Sequence, residues 1–184
     1  MKLIVGLGNL GAHFDGTRHN VGFAMCDIIA TVHGAEWTKK DKFKAHIAEL
    51  KSDKILLVKP TTYYNLSGET VRAVMDFYKL SAADVLVIHD ELALSFGTVR
   101  TRVGGSDAGN NGIKSISQHI GSEYARIRIG IANEHTPRND AADFVLSRLG
   151  KEESETLQKD LAPKVAELVH KFAAGDFPHD THKV

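Results

Sequence analysis

The sequence predicts an α/β fold, a single domain spanning residues 1–184 in which helices cover a mixed β-sheet. Three observations carry this reading. Short runs rich in β-branched residues alternate with stretches whose apolar residues recur every three or four positions. No internal repeat, low-complexity segment or linker interrupts that alternation. A chain of 184 residues, 42% hydrophobic and 25% charged, is long enough for one full core and too short for two full-sized domains.

The elements follow in order. Lys2 to Leu7 is a β-branched run that ends in a Gly-Leu-Gly turn and reads as a buried central strand. Val21, Met25, Ile28, Ile29 and Val32 share one helical face, and Gly34 ends that helix. Phe43 to Leu50 and Lys54 to Val58 read as a strand pair around Ser52-Asp53, with Pro60 closing the second strand. A loop rich in Thr, Tyr and Asn leads to Ser67, the expected cap of a helix carrying Val71, Val74, Met75 and Tyr78. Val85 to Ile88 is a third buried strand with His89 and Asp90 at its carboxyl end. Thr98 to Val103 alternates strictly, and the glycine-rich loop Gly104 to Gly112 opens a helix with Ile113, Ile116 and Ile120 on one side. Arg126 to Ile131 alternates again. Phe144 to Leu149 and Glu152 to Ala174 read as helical, the latter kinked or divided by Pro163, and residues 175–184 read as a flexible tail.

Composition excludes several classes of function. Basic and acidic side chains number 23 each, so no global field draws the chain to a polyanion, and any such site must be local. A single cysteine, Cys26, rules out an internal disulfide framework and a multi-thiolate zinc site. It lies in the apolar run Phe23-Ala24-Met25-Cys26, the setting of an inert buried thiol. The start MKLIVGLG lacks the apolar core and cleavage site of a signal peptide, and no stretch is long and apolar enough to span a membrane. A cytoplasmic protein with no membrane partner is expected.

Gly6-Leu7-Gly8-Asn9-Leu10-Gly11 matches the dinucleotide-binding pattern G-x-G-x-x-G, but its context argues against that function. The mechanism needs a helix to begin within the turn and present its N-terminus to a pyrophosphate, whereas His13 to Asn20 has no helical periodicity. The glycines are read instead as a turn that lets Asn9 project from a strand end.

Other polar residues suggest a hydrolytic centre. Thr17-Arg18-His19-Asn20 places a histidine at the entrance to the first helix, and His89-Asp90-Glu91 ends another buried strand. Carboxyl ends of strands in such sheets gather into one crevice, where an aspartate can orient and stabilise a protonated imidazole. Asn9, Asn65 and Asn111 supply amide donors for an oxyanion and acceptors that orient water, although turns and caps are the commonest use of Asn. Arg100 with Arg102, and Arg126 with Arg128, share strand faces by alternation. Lys114, just inside the helix after the glycine-rich loop, stands where exposed N–H groups receive phosphate.

From about Leu3 to Leu149 the chain resembles the bacterial peptidyl-tRNA hydrolase family, through VGLGNLG, GTRHNVGF, KPTTYYNLSG, HDELAL, GTVRTRVGG, GNNGIKSI and RIRIGI. The resemblance implies a peptidyl-tRNA hydrolase-like fold and cleavage of the ester joining a peptide to the 3′ end of tRNA. It also implies no metal or organic cofactor and a monomer without an obligate protein partner. Matched position by position, it makes His19 the catalytic base and Asp90 its support, and Asn9, Asn65 and Asn111 the groups that hold substrate and water. Tyr64 and Asn110 fall among substrate-binding positions. Arg100, Arg102, Lys114 and Arg128 fall on the side that takes the acceptor stem and 3′ end of tRNA.

The chain departs from the family pattern at four informative places. Leu10 stands where the family usually has proline, Tyr64 where it has methionine, Ala93 where it often has aspartate, and Asn110 where it has histidine. The family's final Asn-Arg-Phe-type segment also has no clear copy. The competing reading is a noncatalytic RNA-binding relative on the same scaffold; the joint presence of His19, Asp90 and the three asparagines favours the enzyme.

Overall fold

Period-two alternation in the central strands decides which side chains face which helices. Ile4, Ile55, Leu57, Leu86 and Ile88 join one buried cluster, whereas Leu3, Val5, Leu56, Val58, Val85 and Val87 join another on the opposite face. The computed structural model describes residues 1–184. Its strands are β1 (Lys2–Gly6), β2 (Thr38–Lys40), β3 (Ala45–Leu50), β4 (Ile55–Pro60), β5 (Val85–Ser95), β6 (Thr98–Val103), β7 (Ala125–Ala132) and β8 (Thr181–Lys183). They form one sheet ordered β2-β3-β4-β1-β5-β7-β6-β8. The central pairs β4-β1, β1-β5 and β5-β7 are parallel and the outer pairs antiparallel.

Helices α1 (Val21–Val32) and α6 (Ala162–Ala174) cover the first face, adding Val21, Met25, Ile29, Val165, Leu168 and Val169 to its core. Helices α2 (Ser67–Tyr78) and α3 (Asn111–Ile120) cover the second with Val71, Val74, Ile113 and Ile116. The short helices α4 (Ala142–Val145) and α5 (Lys151–Thr156) lie between β7 and α6. The mixed, helix-covered α/β sheet is therefore the one the alternation predicts.

Several local expectations differ. Ser67 is the first residue of α2 rather than its cap: its hydroxyl donates to the Tyr64 carbonyl at 2.8 Å, closing a 3-10 turn over Tyr64–Leu66. Strand β5 does not stop at Ile88. It continues through His89, Asp90 and Glu91 because β7 goes on pairing with them, and its register slips only between Glu91 and Ser95. The Glu152–Ala174 stretch is not divided at Pro163. A π-helical segment, Leu157–Leu161, links α5 to α6, and Pro163 falls in the first turn of α6, where a missing N–H is tolerated. The tail from Gly175 contributes β8, which pairs with β6 through Thr181, His182 and Lys183.

Candidate active site

The glycines of the amino-terminal turn create a close contact between β1 and α1. A Cβ on Gly6 would lie 2.8 Å from the Cys26 sulfur, and one on Gly22 would lie 2.6 Å from the Leu7 backbone nitrogen and overlap the Ile88 carbonyl oxygen. Bare backbone at both positions lets the start of α1 rest on the ends of β1 and β5. The residues just before α1 are fixed in turn. The Asn20 amide donates to the Asn9 carbonyl and accepts from the Asn9 N–H, both at 2.9 Å. Buried Arg18 makes a two-pronged bond to Glu153 at 2.8 and 2.8 Å, donates to the Ile131 carbonyl at 3.2 Å and stacks on Phe144. His19 thus sits between two anchored neighbours.

Asp90 meets it from β5. The His19 Nδ1 lies 2.9 Å from Asp90 Oδ2. A carboxylate only accepts, so this contact puts the imidazole proton on Nδ1 and leaves Nε2 with its lone pair. Next to Asp90, the His89 Nδ1 donates to the Asp90 carbonyl at 2.7 Å, and burial pushes the His89 imidazole down to about 4. Glu91 is held by Arg128, whose Nε and Nη2 lie 3.0 and 2.9 Å from its Oε2.

The other Asp90 oxygen is also occupied. The Tyr64 hydroxyl donates to Oδ1 at 2.8 Å, and the Tyr64 ring stacks on the His19 imidazole with centroids 3.8 Å apart. Burial, followed by the Asp90 charge, pushes this hydroxyl well above the ordinary phenol range, so it remains a donor. Asn110 caps α3 by accepting from the Ile113 N–H at 3.0 Å and donates its Nδ2 to the Tyr64 oxygen at 3.0 Å.

One open cleft of about 560 Å³ is lined by Asn9, His19, Tyr64, Asn65, Asp90, Asn110 and Asn111, with Ala142, Val145 and Leu146 among its apolar residues. The elements that deliver them are far apart in sequence: the β1 turn, the entrance to α1, the turn before α2, β5, and the start of α3. All five residues expected at a hydrolytic centre therefore meet. Of the departures, Tyr64 and Asn110 line the cleft, whereas Leu10 and Ala93 are exposed and do not.

The profile of a family described as peptidyl-tRNA hydrolase matches residues 3–184. The chain belongs to the peptidyl-tRNA hydrolase family. Similar proteins bearing that name include one from Ligilactobacillus salivarius, 43% identical over 180 residues and covered to 96% in both chains. Another, from Anaeromyxobacter dehalogenans, is 47% identical over 160 residues, covering 85% of this chain and 82% of the relative. The crystal structure of peptidyl-tRNA hydrolase from Acinetobacter baumannii superposes with a TM-score of 0.87 at 31% identity, over 95% of this chain and 89% of that one. The family match runs beyond Leu149 to the chain end, so β8 lies within the shared region.

In this family member the four arginines of β6 and β7 occupy one sheet face. Arg100 pairs across the strands with Arg128, and Arg102 with Arg126. Their commitments differ. Arg126 is buried and donates to the Ser106 and Gly104 carbonyls at 2.9 and 2.7 Å, holding down the glycine-rich loop. Arg128 is engaged by Glu91, and Arg100 Nε donates to the Thr181 hydroxyl at 2.9 Å. Arg102 and Lys114 are exposed.

Sequence reasoning missed Arg18, Asn20 and Glu153 as supports of the site. The first two lie in the same motif as His19, and that adjacency was the available signal. A separate group, His33, Asp53 and His170, brings potential ligand atoms within 4.8 Å of one another. His33 follows the far end of α1, whose 12 residues span about 18 Å, so this group takes no part in the cleft's chemistry. Cys26 is buried, and burial pushes its thiol up to about 12, the property of an inert core residue.

Proposed function

We propose that this chain hydrolyses the ester between peptide and tRNA in peptidyl-tRNA, releasing tRNA for reuse, with His19 as the base that activates water. The observation that carries the residue assignment is the 2.9 Å contact between His19 Nδ1 and Asp90 Oδ2 inside the shared cleft. With Nδ1–H given to the carboxylate, Nε2 takes a proton from water as the water oxygen attacks the ester carbonyl. The carbonyl electrons move to oxygen, and Asp90 steadies the imidazolium that has formed. Collapse of the tetrahedral intermediate breaks the bond to the tRNA 3′ oxygen, which recovers the proton from His19. Products are a free peptide carboxylate and a free 3′ hydroxyl.

Asn9, Asn65 and Asn111 hold substrate, water and the developing oxyanion. Loss of one good oxyanion donor costs on the order of 10²-fold in rate. Asn9 suits this work because Asn20 takes both of its backbone groups and fixes its place on the cleft wall. Asn9 and Asn65 also bond the peptide amide of the substrate, which favours N-acylated over free aminoacyl-tRNA. Arg102 and Lys114 take phosphates of the acceptor stem directly; Arg100 and Arg128 shape the same face. The enzyme works in the cytoplasm as a monomer, and needs no metal.

Purified chain should be incubated, in excess chelator, with N-acetylaminoacyl-tRNA and separately with free aminoacyl-tRNA, and ester cleavage followed. The acetylated substrate should be cleaved and the free one spared. Tight tRNA binding with no cleavage of either would support a noncatalytic RNA-binding protein instead, and activity restored by one metal would contradict the metal-free chemistry.

A further inference from the structure

We infer that Tyr64 and Asn110 are positioning residues that act as one clamp on Asp90, fixing the carboxylate oxygen that His19 does not use. The inference rests on the proposed roles of His19 and Asp90, and it replaces a direct substrate-binding role for this pair. Its basis is the direction of each hydrogen bond.

Asn110 Oδ1 accepts from the Ile113 N–H at 3.0 Å, so its amide orientation is set by the cap of α3. Nδ2 must then face Tyr64, where it donates to the phenol oxygen at 3.0 Å. With that oxygen accepting, the phenol proton is directed to Asp90 Oδ1, 2.8 Å away. His19 donates to Oδ2 from the other side at 2.9 Å. The donors therefore converge on Asp90 Oδ1, from the Tyr64 hydroxyl and, at a longer 3.5 Å, from Asn110 Nδ2 itself, and meet His19 at a carboxylate whose two oxygens are both engaged. Tyr64 is 6% exposed, and its ring covers the imidazole at 3.8 Å. Gly112 makes room for it, since a Cβ there would lie 2.5 Å from Tyr64 Cε1. A side chain spent on Asp90 and buried under the histidine has little surface left for substrate.

The clamp has two consequences for catalysis. It holds the carboxylate plane, and hence the imidazole, in one orientation. It also draws charge from Asp90, so the carboxylate binds imidazolium less strongly and lets His19 return its proton to the leaving group. The other ionisable groups around Asp90 are committed elsewhere: Glu91 to Arg128, and His89 to the Asp90 carbonyl.

Tyr64→Phe keeps the ring and removes the donor, and Asn110→Ser keeps a cap for α3 and removes the amide. In single-substrate kinetics Tyr64→Phe should lower kcat roughly tenfold, a fraction of the 10²–10⁴ that a positioned base supplies, with KM within about twofold. The acid limb of its pH profile should move to higher pH, because an unclamped carboxylate favours the imidazolium. Asn110→Ser should act in the same direction and more weakly, and the double variant should lose less than the product of the two single losses, because the pair shares Asp90 Oδ1. Ring-proton NMR of the ligand-free chain reads the same shift at His19 without turnover, so the clamp remains testable if His19→Ala retains activity and the assignment of the base falls. A rise in KM with unchanged kcat and pH profile would return the pair to substrate binding and overturn the clamp. Additive losses in the double variant, or an unmoved His19 titration, would overturn it too.

Discussion

His19 owes its position to neighbours that do no chemistry. Arg18 is tied to Glu153 and Ile131, and Asn20 to the Asn9 backbone, so the histidine between them has little freedom to leave Asp90. His89, on the other side, is a buried base held neutral: below about pH 6.5 the unfolded chain takes up a proton there, whereas the native chain does so only near 4. Stability present above pH 6.5 is therefore lost as pH falls towards 4. His89→Asn retains a donor towards the Asp90 carbonyl and removes a buried Nε2 without a partner. Urea unfolding should show a shallower loss of stability between pH 6.5 and 4 for this variant; a slope equal to that of the native chain would remove His89 from the account. The principal polar residues were legible because His19, Asp90 and the asparagines each stand in a recognisable motif. Their supports are less so: Arg18 and Asn20 flank His19 in its motif but carry no mark of what they bind, and Glu153, far away in sequence, looks like an ordinary surface residue until the fold joins it to Arg18.

At the scale of elements, the junction of β1 with α1 decides whether a site exists. The pattern G-x-G-x-x-G marks a close backbone approach, with Gly6 facing Gly22 across the junction and Gly8 against the Phe23 ring. Gly22→Ala should force α1 away from Leu7 and Ile88, destabilising the chain by about 1–3 kcal/mol and reducing turnover beyond that loss of folded protein. Thermal unfolding together with kcat on the folded fraction checks this; an Ala variant of native stability and rate would show that the contact relaxes freely. The long elements are legible in their periodicity, and the predicted ends of α1 coincide with the observed ones. β5 outruns its apolar stretch, which stops where the polar residues His89, Asp90 and Glu91 begin, because its pairing with β7 continues. β2 and β8 are three-residue, largely exposed edge strands with no apolar alternation to reveal them. At Pro163 the helix absorbs the proline through a π-helical segment, which periodicity alone does not register.

Across the whole molecule, equal numbers of acidic and basic groups leave no global field, so the proposed tRNA contact must be local, and Arg102 and Lys114 are the exposed cations of the proposed set. Arg102→Gln and Lys114→Gln should weaken intact tRNA substrates more than a short acyl-adenosine mimic, and lower the salt slope of binding by about 0.7–0.9 per lost phosphate contact. Arg128→Gln should behave differently, because it strands a buried Glu91 carboxylate and costs about 3 kcal/mol or more of stability. Equal losses on both substrates with an unchanged salt slope would assign Arg102 and Lys114 to the fold. In the proposed mechanism one crevice, closed by α1 against β5, turns His19 into a base for ester hydrolysis. Single-turnover cleavage of N-acetylaminoacyl-tRNA by the native chain and by His19→Ala, with tRNA affinity measured in parallel, separates that role from substrate binding. His19→Ala should lose about 10²–10⁴ in rate at nearly unchanged affinity; a folded variant that cleaves at the native rate would rule out His19 as the base.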